Sequence, residues 1–199
     1  MDLLRKFMIL VVLKLVLIAA LVGYLHYTNR GIFQGSSVSG LPDGRIRADR
    51  TTVMSHNFGS VSFNWYGEEI GIFMAYYEGE ELVLRESVAA FGTRGASLLG
   101  GTAQWVLTMS GNTREELRAY IGIQGALAQG YFDFSQIDFT PGLIVRADMT
   151  IPNRPITGGE RYVLQVWQTG TSWRADNNPF HPEALRGNEK TAILYIVFE

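Results

Sequence analysis

Residues Phe7 to Leu25 read FMILVVLKLVLIAALVGYL, a run of nineteen positions with one charge, Lys14. At about 1.5 Å of rise per residue, a helix of this length spans roughly the hydrocarbon core of a bilayer. Arg5 and Lys6 precede the run, and Tyr24, His26 and Tyr27 follow it. Amphipathic rings settle at the membrane–water interface, and basic flanks stay on the cytoplasmic side. The expected topology is therefore single-pass, with the N-terminus in the cytoplasm and the rest of the chain outside it. In a bacterium that places the chain in the inner membrane with its bulk in the periplasm.

A cleaved signal peptide competes with this reading. Its apolar region is usually about 7–15 residues and ends in a small-x-small site. Here the run is longer, and Tyr24-Leu25-His26-Tyr27 is a poor cleavage context. A retained anchor is expected, with residues 1–28 forming a cytoplasmic stub and a transmembrane helix. Lys14 lies near the middle of the run, where a charge costs about 2.5–3.5 kcal/mol on insertion scales. Either it snorkels toward the headgroups, or a partner helix or cofactor offers it an acceptor.

Residues 29–50 are rich in Gly, Ser and Arg, with a Pro-Asp-Gly turn at 42–44. They read as a linker. Ile32 and Phe33 within it are candidates for docking on lipid or on a neighbouring chain.

From about Thr51 the period becomes two, and 51–199 is expected to be one β domain. Val61, Phe63 and Trp65 alternate with Ser60, Ser62 and Asn64, the pattern of a half-buried strand. Gly67-Glu68-Glu69 predicts a turn. Ile70 to Tyr77 is apolar at nearly every position and predicts a strand covered on both faces. Glu78-Gly79-Glu80 predicts another turn, followed by a strand from Leu82 to Phe91. Gly92 to Gly101, GTRGASLLGG, predicts a loop. Further strands are expected over 103–110, 117–123, 131–136, 143–151, 162–167 and 191–198. Thr113-Arg114-Glu115-Glu116 has the form of a helix capping box. The alternation of Leu117, Ala119, Ile121 and Ile123 outweighs it, so a strand is expected there. Eight or nine short strands with glycine-rich turns point to a mainly β fold, an antiparallel β-sandwich or jelly roll, carried on one N-terminal transmembrane α-helix.

Composition narrows the function. With no cysteine, disulfides, thiolate nucleophiles and cysteine-ligated clusters are excluded. Residues 31–199 hold thirteen bases against eighteen acids, a net of −5, with no basic stripe. That is a poor match for a nucleic-acid binder. Twelve of the thirteen bases are Arg, and Lys190 is the one Lys. Arg is enriched and Lys depleted at protein interfaces, although codon usage in a GC-rich genome gives the same bias.

Sites of chemistry are not evident. His26, His56 and His181 lack the companions and spacing of a zinc site, and His181 is expected to be exposed. There is no nucleophile elbow and no Walker-type loop. Glu68, Glu86, Asp133 and Asp148 are the carboxylates weighed for glycoside hydrolysis, and surface solvation is the simpler account of them. Trp65, Trp105 and Trp167 fall within strands and read as core. Trp173, followed by Arg174, sits in the polar segment 170–190, and such a pair suits an interface anchor or a sugar platform.

The reading that follows is a non-catalytic protein without metal or cofactor: an accessory subunit of a multi-subunit inner-membrane complex, photosynthetic or respiratory. Its partners are the other subunits and the bilayer, with Lys14, Ile32, Phe33, Trp173 and Arg174 as candidate contacts. The alternative is a membrane-tethered periplasmic module that binds sugar or peptide.

Overall fold

The computed structural model describes residues 14, 37–49, 58–110, 113–123, 125–137, 143–146, 151, 153–169, 178–186 and 188–199. The chain is mainly β, and among the described residues the strands form one antiparallel sheet of nine. They are β1 (Arg45–Ala48), β2 (Phe58–Glu78), β3 (Glu81–Ser110), β4 (Thr113–Ile123), β5 (Ala126–Asp133), β6 (Leu143–Arg146), β7 (Arg154–Pro155), β8 (Tyr162–Thr169) and β9 (Lys190–Phe198). The expected transmembrane helix falls on residues of which only Lys14 is described; it is α-helical and exposed. Among the described residues no helix is long and apolar enough to cross a membrane.

A long hairpin organises the sheet. β2 and β3 pair from Phe58↔Val106 to Glu78↔Glu81. Gly79 makes the connection with φ +58, a conformation that glycine adopts without a Cβ penalty. This is the turn that Glu78-Gly79-Glu80 predicted. The first half of β2 also pairs with β1, and the second half of β3 with β4, which carries β5. The other half of β2 pairs with β9, followed by β8 and β6.

The two halves of the sheet share one core. Val61, Phe63, Trp105, Leu117, Ile121 and Phe132 come from the first, and Ile72, Met74, Leu164, Trp167, Leu194 and Phe198 from the second. Phe63 meets Phe198 edge-on at 5.4 Å between ring centroids, and Phe134 meets Trp167 at 5.1 Å. The Trp105 indole N–H donates to Gln165 Oε1 at 2.5 Å in the buried interior. Close backbone approach also joins the halves: a Cβ added to Gly130 in β5 would lie 1.7 Å from the Val88 carbonyl oxygen in β3.

Three local expectations are corrected. Gly67-Glu68-Glu69 is no turn, because β2 runs through it. The Glu68 and Glu69 amides donate to the Glu199 carbonyl at 2.7 and 2.8 Å, so the backbone stays extended across an irregularity in the ladder. Gly92 to Gly101 is no inter-strand loop, because it lies inside β3. Its looseness is absorbed between the pairs Glu69↔Gly92 and Gly67↔Ser97, where residues 93–96 stand opposite Glu68 alone. The strand at 60–65 is covered on its polar face as well: Ser60, Ser62 and Asn64 are all buried. Asp49 accepts from both serine hydroxyls. Asn64 donates to the carbonyls of Val38 and Leu41 and accepts from the Val38 amide. The end of the segment read as a linker thus lies against β2, with Arg45–Ala48 paired as β1. The strands expected over 103–110, 117–123, 162–167 and 191–198 lie within β3, β4, β8 and β9, with β4 covering the contested capping box. The strand expected over 131–136 is instead β5 at Ala126–Asp133, and Phe134–Gln136 is a 3-10 turn that Asp133 starts by accepting from the Ser135 amide. Residues 147–150, part of the strand expected over 143–151, lie outside the described residues.

Candidate interaction surface

The outward face of β3, β4 and β5 is the broad solvated face of the sheet. Inward Trp105 and Leu107, Leu117 and Ala119, and Phe132 bury one side of these strands. The period of two then sends Gln104 and Val106, Arg118 and Tyr120, and Gln129 and Tyr131 to the other. Register lines them up in rows: Val106↔Arg118↔Tyr131, then Gln104↔Tyr120↔Gln129, then Thr102↔Gly122↔Leu127. Tyr131 is 66% and Leu127 62% exposed, the highest values among the exposed large hydrophobic residues. Arg118 is fixed between neighbours on its own strand. It donates to Glu116 and bonds Tyr120, and the Glu116 carboxylate raises the guanidinium pKa. The row therefore presents a held cation beside an exposed phenol.

β5 is also a sheet edge. It pairs with β4 on one side and, among the described residues, with no strand on the other. Unpaired edges template association, and proteins blunt them with charge, proline or short length. The other edges carry such devices. β7 is two residues long and contains Pro155, β6 at the other end of the sheet order is four residues long and carries Arg146, and the free run of β3 carries Glu81, Arg85 and Glu86. β5 reads ALAQGYFD, with Asp133 at its end as its one charge. That carboxylate is committed locally. It accepts from the Ser135 amide at 2.8 Å, and the bonds to Ser135 hold its pKa below the ordinary value.

Of the residues singled out in the sequence, Lys14 is exposed on a helix, and Ile32, Phe33, Trp173 and Arg174 lie outside the described residues. Trp105 and Trp167 are buried as expected; Trp65 is half-buried and packs on Phe198 at 5.9 Å. His181 is exposed, while His26 and His56 lie outside the described residues. Glu68 and Glu86 are exposed, Asp133 is half-exposed, and Asp148 is outside. Among the described residues no group of three or more His, Asp or Glu could hold a metal ion. The face that bears Arg118, Tyr131 and Leu127 did not stand out in the sequence. Its signal was the alternation of 126–133, which assigns faces without saying which face stays uncovered. No family model matches this chain, and neither a curated protein nor a solved structure does.

Proposed function

We propose that this chain is a non-catalytic assembly subunit. A sandwich-like β domain, built from one folded sheet, docks through β5 onto a protein partner, and residues 7–25 anchor it in the bacterial inner membrane beside that partner. The host is a multi-subunit membrane complex, photosynthetic or respiratory, with the domain on the periplasmic side. The observation that carries the reading is the undefended edge of β5 with Leu127 and Tyr131 exposed on it. Main-chain groups of such an edge give affinity to an added strand, and alternate side chains give specificity. Tyr and Arg side by side suit the centre of a protein interface.

The test is photo-crosslinking from position 131 of the full chain in its native membrane, followed by purification in mild detergent. A crosslink to another subunit, and loss of co-purification in Leu127→Lys/Tyr131→Lys, are expected. A free monomer that is indifferent to the double substitution defeats the reading. A second reading, a tethered binder of sugar or peptide, draws on the same face, where Gln104, Gln129 and Tyr120 supply planar hydrogen-bonding groups beside Tyr131. It takes first place if position 131 crosslinks to no protein and glycan or peptide arrays bind the purified chain.

A further inference from the structure

The register of β5 tells which of its backbone groups are free. Ile123 of β4 pairs with Ala126 of β5 across a connection of two residues. A pair closed by so short a connection is one that exchanges both backbone hydrogen bonds. Bonded and non-bonded pairs then alternate along the ladder, so Ala126, Ala128, Gly130 and Phe132 turn their amides and carbonyls to β4. Leu127, Gln129 and Tyr131 turn theirs to the open edge, and the side chains of these three are exposed. The Val88 carbonyl fills the place a Gly130 side chain would take. Gly130 alternates with Tyr131, so that contact lies on the inner face and leaves the edge open. From Ala126 to Phe132 the strand holds no charge. Charge on an edge is one of the devices that keep a strand from pairing with another copy of itself.

Antiparallel pairing sets an open-edge residue against an open-edge residue. Two copies of β5 related by a two-fold axis therefore have few registers to choose from. With Gln129 opposite Gln129 of the other copy, all residues from Ala126 to Phe132 pair. Leu127 of each copy then stands opposite Tyr131 of the other, so the two most exposed large hydrophobic residues cover each other twice. Asp133 falls beyond each end of the ladder, away from its counterpart. Sliding the copies by two residues in one direction sets Asp133 against Leu127, and sliding them in the other leaves Tyr131 without a partner. The outer face also has room for this contact. Gly122 is the neighbour of Leu127 on β4, and the atom nearest an added Cβ there is the Thr102 hydroxyl at 3.6 Å. Leu127 has space to lean over Gly122 while the Tyr131 ring of the other copy closes on it, the way an aromatic side chain covers a glycine across a ladder.

We propose that β5 pairs antiparallel with β5 of a second copy of this chain, Gln129 against Gln129, joining two sheets into one. This rests on the docking reading above and names the partner at that edge. A contact of one strand pair falls short of the about 1,000 Å² of a standing interface. The copies are expected to pair where a shared membrane confines them, which raises their effective concentration, and to separate when the isolated chain is diluted in detergent.

The chain has no cysteine, so single cysteines report the register without background. In a hydrogen-bonded antiparallel pair the Cα atoms are about 5.5 Å apart, within the span of a disulfide. Residues four positions out of register are more than about 13 Å apart and out of its reach. In membranes that carry the full chain, mild oxidation of Gln129→Cys is expected to give a covalent homodimer. Leu127→Cys and Tyr131→Cys are each expected to give at least tenfold less alone, and to join each other when co-expressed with different tags. Adding Leu127→Lys/Tyr131→Lys to Gln129→Cys is expected to lower its dimer yield at least tenfold. Equal dimer yields from all three single-cysteine chains signify random collision and overturn the proposal. If Gln129→Cys gives no dimer while photo-crosslinking from position 131 captures a different subunit, self-pairing is wrong and the docking reading stands. If neither captures anything, both fall.

Discussion

Trp105 and Gln165 are separated by 60 positions in sequence and meet in the buried interior. Phenylalanine at 105 keeps most of the ring volume and removes the donor. A buried acceptor that loses a partner costs about 1–3 kcal/mol, so Trp105→Phe is expected to lower the unfolding free energy by that amount, read as a lower urea midpoint at an unchanged slope. Trp65→Phe is the control: its indole N–H reaches the Glu199 carbonyl at 3.4 Å in an exposed setting, and a much smaller loss is expected. Tyr162 gives a pH signature. Its hydroxyl accepts from the Thr157 amide at 2.6 Å and donates within reach of the Pro155 carbonyl and Glu160. Burial, with help from Glu160, raises its pKa above the ordinary 10.0. A proton held more tightly in the folded than in the unfolded chain contributes stability that is complete below the unfolded pKa and is lost as pH climbs through the folded one. Stability measured by denaturant should therefore fall above about pH 10, and more steeply in the parent chain than in Tyr162→Phe. Equal slopes for the two chains would remove Tyr162 from the account. The alternation made Trp105 and Tyr162 legible as inward residues. Gln165 was not legible, because a register shift between Val163 and Gln165 breaks the alternation of β8.

At the scale of the element, period two placed most strands well and local turn chemistry misplaced two breaks. Gly67-Glu68-Glu69 has turn composition, yet its amides are bonded by residue 199. No local signal announces a partner more than a hundred positions away. The glycine run at 92–101 carried true information about looseness, but the long hairpin accommodates it as an excursion opposite Glu68 instead of ending the strand. Glycines inside these long strands therefore differ in what they do, and substitution separates them. At Gly130 a methyl group has no room beside the Val88 carbonyl, and backbone cannot move aside as a flexible side chain can. Gly130→Ala is expected to cost about 1–3 kcal/mol, the range for overpacking. At Gly92 the nearest atom to an added Cβ is 3.8 Å away, an ordinary contact. Gly92→Ala is expected to stay within about 0.5 kcal/mol of the parent. Thermal unfolding of the two variants side by side checks this, and an equal loss in both would mean that β5 does not press against β3.

Across the whole molecule, the two halves of the sheet have different surroundings, and this bears on what the chain does. β9 lies between β2 and β8, and every residue from Thr191 to Phe198 is buried. The sequence announced this, since Ile70 to Tyr77 and the C-terminal strand are apolar on both faces. β5 lies at the far edge with its outer face in solvent. The sequence did not announce that, because Leu127 and Tyr131 are as apolar as core residues and only the sheet order shows them uncovered. Amide hydrogen exchange reads the difference directly, because protection follows local opening, and edge strands open at lower cost than central ones. In the free chain, held in detergent, the β9 amides are expected to exchange slowest and the β5 amides that point away from β4 among the fastest of the strands. An added partner strand would supply acceptors to those same β5 amides. In chain purified with its native membrane partners, β5 exchange should then slow by a factor of ten or more, about 1.4 kcal/mol of added protection, while β9 is unchanged. Membrane insertion alone would leave the β5 amides as they are, so the comparison separates anchoring from docking. If β5 exchanges equally fast in both preparations, no partner pairs with its edge, and the assembly reading loses the observation on which it stands.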